Sequence, residues 1–291
     1  MSGTVQTPVR RSATARRQSR LDAIRYTVLA LVAIPWVVLP FWMLLVNSFK
    51  DENDASRPSV ALPTQWVGFS NFVTVIVKGN YFTGLRNSLT VAIPVVIGVL
   101  LLGSMAAWSY ARSQARWAGA AYYISALSII LPPAIVPTVV MVTRAGLTGS
   151  TLGYMLVLLG TRLGVIVFLT TGYVRSLPID FEEAAQIDGA GPWQVYWHIV
   201  LPLLRPVLFT AAIMTVINVW NDFLFALYMT KGAGNATLPL TLYNFANAGA
   251  YGIRWNLVFA HVLLASLPLM IAYVVLQKRV LGGLTEGGVK G

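Results

Sequence analysis

The sequence has no cysteine among its 291 residues, only ten acidic residues and only two histidines. Without cysteine, neither a disulfide framework nor a thiolate metal site or nucleophile is possible. Charged residues make up 11% of the chain, which is about half the fraction found in an average soluble domain. This composition argues against a protein whose surface mainly contacts water.

Apolar residues make up 56% of the chain and occur in long uninterrupted blocks. A helix needs about 20 residues to cross a hydrocarbon core about 30 Å thick. We therefore predict an all-α integral membrane protein with six transmembrane helices. The predicted spans are residues 26–48, 88–111, 118–142, 152–174, 207–230 and 257–277. Several contain proline, which is tolerated in lipid because neighbouring helices satisfy the freed backbone groups.

The net charge of +11 arises largely from an N-terminal arm and from the ends of the apolar blocks. Residues 1–25 carry six arginines against one acid, and we predict that they form a disordered basic arm in the cytoplasm. That orientation places 13 Lys and Arg inside and seven outside, as the positive-inside rule requires. Without the arm, seven Lys and Arg lie inside and seven lie outside. A cleaved signal peptide is the alternative, but the apolar stretch 26–49 is longer than a usual signal core.

The predicted cytoplasmic loop 175–206 contains an unusual concentration of acids. Four of the ten acidic residues of the chain fall within nine positions: Asp180, Glu182, Glu183 and Asp188. Asp180 and Glu183 have the spacing of a capping box, in which each side chain satisfies a free backbone donor at a helix start. A short helix is therefore predicted to begin at Asp180.

On that helix Phe181, Ala184, Ala185 and Asp188 share one face, and the two alanines permit close approach of another chain. This face has the character of a docking surface. Residues 189–191 (Gly-Ala-Gly) allow a sharp turn, after which a proline suits the first position of a second helix.

The second helix is predicted to carry an aromatic stripe and to end at Pro202. The stripe consists of Trp193, Tyr196, Trp197 and Val200, and its spacing suits contact with the bilayer or with the other helices. From the residues alone, an interfacial amphipathic segment with solvated acids explains the loop equally well.

A longer pattern in this loop resembles a known family. Glu183, Ala184, Ala185, Gly189, Ile199, Leu201 and Pro202 fill every position of the EAA loop of binding-protein-dependent ABC importers. The resemblance covers residues 62–291 and is greatest to the carbohydrate permeases, including the smaller maltose-importer permease. Other segments that carry it are 87–89 (Asn-Ser-Leu), 106–112, 131–133 (Leu-Pro-Pro), 220–222 (Trp-Asn-Asp) and 283–291.

The resemblance implies a type I ABC importer permease fold over residues 26–291, in which the loop is a coupling helix seated on an ATPase subunit. The residues implied in ATPase coupling are Glu182, Glu183, Ala184, Ala185, Asp188, Gly189, Ile199, Leu201 and Pro202. It also implies a cytoplasmic tail, 278–291, that reaches the ATPase dimer.

The implied partners are a second permease subunit in a heterodimer, two ATPase subunits, an external solute-binding protein, a sugar or oligosaccharide and membrane lipid, with no nucleic acid. The implied location is the bacterial cytoplasmic membrane, with both termini in the cytoplasm.

Signatures of catalysis are missing from the sequence. A P-loop requires a Gly-Lys dipeptide, and none occurs. The two histidines, His198 and His261, are far apart in sequence, and we expect each to have a structural role. We expect a transport subunit that is not an enzyme and binds no metal or cofactor, ATP and Mg being used by the partner ATPase.

Two opposite charges fall inside predicted spans. Burying Asp222 near the bilayer centre costs about 2.5 to 3.5 kcal/mol, so a compensating group is required. Arg162 lies midway along the fourth span, and we predict that the two residues pair. Asn218 and Asn221 lie close to Asp222 on the fifth span, and these four residues are candidates for the substrate pathway. Packing between helices is an equally good interpretation.

Two other functions are considered. An ion-gradient-driven secondary carrier would use an intramembrane acid such as Asp222, but evident inverted repeats are lacking. A membrane-embedded hydrolase or transferase would need a nucleophile, base or metal set that the sequence does not offer.

Overall fold

The computed structural model describes residues 13–131, 133–230, 232–247 and 252–286. Within these ranges the protein is built of helices, and the β-type pairing is a single isolated bridge between Lys50 and Trp66. The prediction of an all-α protein is therefore confirmed. Residues 1–12 of the basic arm and 287–291 of the C-terminal tail lie outside the described residues. Residues 13–25, predicted as part of a disordered arm, instead begin a long helix.

The first half of the described chain contains seven α-helices and one π-helical turn. They are α1 (Ala13–Ala33), a π-helical turn (Ile34–Val38), α2 (Leu39–Ser48), α3 (Glu52–Ala55), α4 (Ser70–Lys78), α5 (Tyr81–Arg112), α6 (Arg116–Ile130) and α7 (Ile135–Arg144).

The second half begins with another long helix. The elements of this half are α8 (Thr151–Ser176), α9 (Asp180–Ile187), α10 (Pro192–Val195), a π-helical turn (Tyr196–Val200), α11 (Leu201–Leu203), α12 (Arg205–Trp220), α13 (Leu224–Met229), a 3-10 turn (Ala233–Asn235), α14 (Leu238–Ala246) and α15 (Trp255–Glu286).

Four helices of the described chain are long and apolar enough to cross a membrane: Ile24–Ser48, Tyr81–Arg112, Thr151–Ser176 and Trp255–Val274. Two bent helix pairs raise the number to six if each counts as one span: Arg116–Ile130 with Ile135–Arg144, and Pro192–Leu203 with Arg205–Trp220. Counted in this way, the number agrees with the six predicted spans, two of which are not continuous helices.

The predicted continuous span 118–142 is wrong in detail. Helices α6 and α7 meet at 118°, and Leu131 has an extended backbone with ψ 126°. Leu131 precedes a proline in the sequence, and the proline ring disfavours helical geometry in the residue before it. The Pro-Pro pair therefore breaks the span instead of being accommodated in it.

The predicted continuous span 207–230 is also interrupted. Helix α12 ends at Trp220, and α13 begins only at Leu224. Between them, the Asp222 carboxylate accepts a hydrogen bond from the Ala226 amide at 3.2 Å. A short acidic side chain bonded to nearby backbone competes with the helical pattern, which accounts for the break.

The core lies mainly between α5 and α8. Glycines on α5 permit this close approach, since a Cβ at Gly103 would lie 2.8 Å from Ile166 and one at Gly98 would lie 2.9 Å from Leu159. Small residues at helix contacts are characteristic of membrane bundles, where packing drives association. The central buried residues of this core are Val91, Val95, Val99, Tyr154, Leu158 and Ile166.

At the opposite end of the bundle from α9, a polar cluster joins three helices. The Asn71 amide of α4 donates to the carbonyls of Ser48 at 2.9 Å and Lys50 at 2.8 Å, just where α2 ends. Asn256 of α15 donates to Asn71 at 3.0 Å. Asn71 therefore satisfies carbonyls that the end of α2 would otherwise leave without a partner.

Replacing Asn71 by Ala is expected to lower the free energy of unfolding by about 1 to 3 kcal/mol, because buried carbonyls lose their donors. Thermal unfolding in detergent measures the effect. Thr74→Ala on the same helix is the control, because the exposed Thr74 hydroxyl bonds only the Ser70 carbonyl of its own helix. Equal unfolding temperatures for the two variants would contradict the prediction.

Candidate functional site

Helix α9 begins the loop predicted to couple the chain to an ATPase. The predicted helix is present, but the capping box between Asp180 and Glu183 is not formed, because the N-cap is Ile179 and no side chain caps the helix. The amides of Glu182 and Glu183 instead donate hydrogen bonds to the Ile179 carbonyl at 2.8 and 3.1 Å. The acidic residues of the first turn still stabilise the start of the helix, where the helix dipole is positive.

The turn after α9 follows the prediction. Gly189 has φ +85°, a left-handed conformation that glycine adopts without steric cost. The Ala190 amide then bonds the Ala185 carbonyl at 2.9 Å and closes the helix end. On the other side of the turn, the Gln194 side chain accepts a bond from the Gly191 amide at 2.9 Å at the start of α10.

The second helical segment is less regular than predicted. It passes from α10 through the π-helical turn into α11 and ends at Leu203, one residue beyond the predicted end at Pro202. It then meets α12 at 76°. The loop therefore contains two short helical segments, and the second of them lies at an angle to α12.

The predicted docking face of α9 lines a groove of about 380 Å³ between α9 and the second segment. Five of the nine predicted coupling residues line it: Ala184, Ala185, Asp188, Ile199 and Pro202. Phe181, His198 and Leu203 complete the lining. Of the other predicted coupling residues, Glu183 and Gly189 are exposed nearby, Leu201 packs towards the bundle, and Glu182 is buried.

The aromatic stripe of the second segment is divided between two environments. Tyr196 and Val200 are buried, and the Tyr196 hydroxyl lies 2.8 Å from the Ser104 hydroxyl of α5. Trp193 and Trp197 are exposed. The first pair holds the loop to the bundle, whereas the second remains open to a bilayer or a partner.

The Glu182 carboxylate points into the bundle. It contacts Arg112 at 2.7 Å and accepts a bond from the Trp108 indole at 2.8 Å, both residues lying in the last turns of α5. Sequence reasoning missed this contact. The available signal was the Arg at the end of a span, but a run of acids on a loop is more simply interpreted as a solvated surface.

The predicted pair of opposite charges is present inside the bundle. An Arg162 guanidinium nitrogen of α8 lies 3.7 Å from the Asp222 carboxylate, which is at the break between α12 and α13. The buried Tyr154 hydroxyl of α8 donates to the same carboxylate at 2.8 Å, a partner that was not predicted. Together with the Ala226 amide, these groups compensate a carboxylate that is 8% exposed.

Asn218 and Asn221 do not share the environment of Asp222. Both are exposed, and their amides donate to the carbonyls four residues earlier, Met214 at 2.8 Å and Ile217 at 2.9 Å. The four candidates for the substrate pathway therefore divide into a buried pair and an exposed pair. Among the described residues, no three His, Asp or Glu side chains come together as a metal site.

The apolar bundle, the broken helices and the grooved loop between α8 and α12 define a polytopic membrane transport subunit. The chain belongs to the family of binding-protein-dependent transport system inner membrane components, whose model matches residues 12–282. The predicted resemblance to ABC importer permeases is thereby confirmed.

Similar proteins cover almost the whole chain. The probable starch degradation products transport system permease protein AmyC of Thermoanaerobacterium thermosulfurigenes is 30% identical over 94% of this chain and 99% of its own. The melibiose/raffinose/stachyose import permease protein MelC of Bacillus subtilis is 30% identical over 94% of this chain and 100% of its own.

A solved structure shows the same fold. A chain from a bacterial ABC transporter involved in the import of the acidic polysaccharide alginate superimposes with a TM-score of 0.76, at 21% identity. The match covers 94% of this chain and 99% of the other. The predicted type I permease fold is therefore confirmed.

Proposed function

We propose that this chain is a permease subunit of an ATP-driven, binding-protein-dependent importer of sugars or related solutes and couples ATPase closure to alternating access. The observation that carries the proposal is the groove of the loop, which five residues of the predicted coupling set line together. Family membership and sugar-permease relatives at 30% identity support the same conclusion.

ATP hydrolysis belongs to separate subunits in this proposal. The chain has no Gly-Lys dipeptide and therefore no P-loop. The surface of α9 instead offers apolar side chains to a partner, since Phe181 is 55% and Ile187 is 87% exposed. Exposed apolar groups beside small residues suit the docking of another protein, and two ATPase subunits that bind ATP and Mg are the proposed partners.

The remaining parts of the assembly follow from the same proposal. The loop and both termini lie in the cytoplasm of a bacterial cell, and the polar cluster around Asn71 lies outside. A second permease subunit forms the pathway together with this one, and an external binding protein delivers the solute. The family description, a binding-protein-dependent system, supports this last partner.

The runner-up is an ion-gradient-driven carrier that uses Asp222 for coupling. In the structure Asp222 is already engaged by Tyr154, Arg162 and Ala226. These contacts already account for Asp222 as a buried carboxylate whose charge is compensated by its neighbours, so ion exchange is not needed to explain its presence.

Uptake by membrane vesicles distinguishes the two functions. Vesicles containing the chain, its second permease and candidate ATPase subunits are loaded with ATP and given a labelled maltooligosaccharide with the binding protein outside. We expect uptake that requires ATP and persists after an ionophore collapses the proton and sodium gradients. Uptake that needs the gradient and ignores ATP would establish the carrier instead.

A further inference from the structure

Glu182 differs from the other acids of α9. Asp180, Glu182 and Glu183 all lie in the first turn of this eight-residue helix. Asp180 and Glu183 are exposed, whereas Glu182 is only 6% exposed. An acid in that position is retained in a buried environment only with good partners.

Both oxygens of the Glu182 carboxylate are engaged by α5. Oε1 accepts from Arg112 Nε at 2.8 Å and lies 2.7 Å from its terminal nitrogen, while Oε2 accepts from Trp108 Nε1 at 2.8 Å. Charge-assisted bonds of this kind are short and directional, and a guanidinium holds a carboxylate in a fixed orientation. We name Glu182, Arg112 and Trp108 the Glu182 clamp.

The clamp also reaches the end of α8. A terminal nitrogen of Arg112 donates to the Leu177 carbonyl at 3.2 Å, and Leu177 is the C-cap of α8. The end of α5, the end of α8 and the start of α9 are therefore held at one point. The start of α9 is therefore bonded to α5 and, through Arg112, to the end of α8.

Helix α5 extends from the clamp to the other end of the bundle. Its 32 residues give a length of about 48 Å at 1.5 Å per residue. Near its far end, Asn87 donates to the carbonyls of Gly234 and Ala236 at 2.7 and 3.0 Å, and Ser88 accepts from the Leu238 amide at 2.9 Å. The helix thus connects α9 with the segment that leads into α14.

We propose that the Glu182 clamp is the mechanical link that converts movement of α9 into movement of α5, with Glu182 and Arg112 as positioning residues. This inference rests on the proposed function, in which α9 is seated on an ATPase subunit. It separates two tasks on one short helix. The exposed groove binds the partner, and the buried acid transmits the displacement.

A purely structural role of the Glu182 clamp would lead to a different experimental result. If the clamp only stabilised the fold, its loss would reduce the amount of assembled complex, and ATP hydrolysis and uptake would fall in proportion. If the clamp transmits movement, the assembled complex still hydrolyses ATP but imports less solute for each ATP. The ratio of uptake to hydrolysis distinguishes the two roles.

The test uses the full complex of the chain with its second permease, ATPase subunits and binding protein. Glu182→Gln and Arg112→Gln remove one charge each, and Asp180→Asn removes a charge from an exposed position of α9. We expect both clamp variants to retain the ATPase subunits and to lower the uptake-to-hydrolysis ratio about tenfold or more, the effect of losing one charge-assisted bond. Asp180→Asn is expected to leave the ratio unchanged.

A second readout follows α5 directly. Because the chain contains no cysteine, Thr90→Cys, an exposed position in the far half of α5, introduces a single labelling site in this subunit. A spin label there is expected to change its signal when ATP is added to the otherwise wild-type complex. In the Glu182→Gln background the change is expected to disappear, although ATP still binds.

The outcomes separate failure of this inference from failure of the proposed function. The inference would be overturned, and the importer left intact, if the clamp variants kept the wild-type ratio of uptake to hydrolysis and the wild-type change of the spin-label signal on adding ATP. If the clamp variants lost the ATPase subunits while the wild type kept them, Glu182 would have a role in docking. That result would also overturn the inference. A wild-type chain that retains no ATPase would overturn the proposed function and, with it, the clamp.

Discussion

Replacing Asp222 by Ala is expected to lower the free energy of unfolding by about 3 kcal/mol, a typical cost of removing one partner from a buried ion pair. The Arg162 guanidinium would lose its counter-charge, and its Nε atom is already buried without a hydrogen-bond partner. The Tyr154 hydroxyl and the Ala226 amide would lose their acceptor too. We expect uptake to be lost with stability, because these bonds fix the break between α12 and α13.

Two variants show which part of the interaction matters. Asp222→Asn keeps an acceptor for Tyr154 and Ala226 but loses the charge, so we expect a smaller loss of about 1 to 2 kcal/mol. Asn221→Ala, at the adjacent exposed position, is the matched control and is expected to change stability by less than about 0.5 kcal/mol. Thermal and denaturant unfolding in detergent provide the comparison.

Charge exchange tests the pair itself. Arg162→Asp and Asp222→Arg are each expected to abolish uptake, and their combination is expected to restore part of it, since opposite charges again face each other. Two results would show that the 3.7 Å contact does not stabilise the bundle. One is uptake by the double variant no higher than by either single variant, and the other is an Asp222→Ala protein as stable as Asn221→Ala.

Filling the groove is expected to have the second large effect. Ala184 is an exposed alanine that lines the groove beside Phe181 and Asp188. A tryptophan there would occupy the space that a docked partner needs, and a steric block at the centre of an interface is among the strongest ways to prevent binding. We expect Ala184→Trp to weaken ATPase binding about 100-fold or more, which corresponds to about 2.7 kcal/mol.

The same position supplies its own control. Ala184→Ser adds a single oxygen at an exposed site and is expected to retain the ATPase subunits. Binding is measured by titrating purified ATPase onto the immobilised chain. Normal insertion of each variant into the membrane is confirmed first. If Ala184→Trp binds as tightly as Ala184→Ser, the groove is not the docking surface.

Local signals explain why much of the loop could be predicted from the sequence. The turn after α9 depends on Gly189, whose φ of +85° suits glycine, and the second segment begins at a proline, as expected from its fixed φ. The pair Arg162–Asp222 was also predictable, because rare charges at membrane depth require a partner. None of these three predictions needed the three-dimensional arrangement of the helices.

Features that depend on distant residues were not predictable. The burial of Glu182 requires the last turns of α5 to meet the first turn of α9, across about 70 residues of sequence, as in the contacts with Arg112 and Trp108. The breaks within the predicted spans 118–142 and 207–230 were missed for other reasons. The Pro-Pro pair was expected to be tolerated in lipid. Hydropathy, which averages over a window, does not register a carboxylate that bonds its own backbone.

Co-purification of the full-length chain with its ATPase subunits tests the central claim most directly. The wild type is compared with Glu183→Ala, which changes an exposed acid of α9 outside the Glu182 clamp, after equal membrane insertion has been confirmed. The account predicts that the wild type retains ATPase subunits in detergent and that Glu183→Ala retains far less. Failure of the wild type to retain any ATPase would contradict the account and favour an ion-driven carrier.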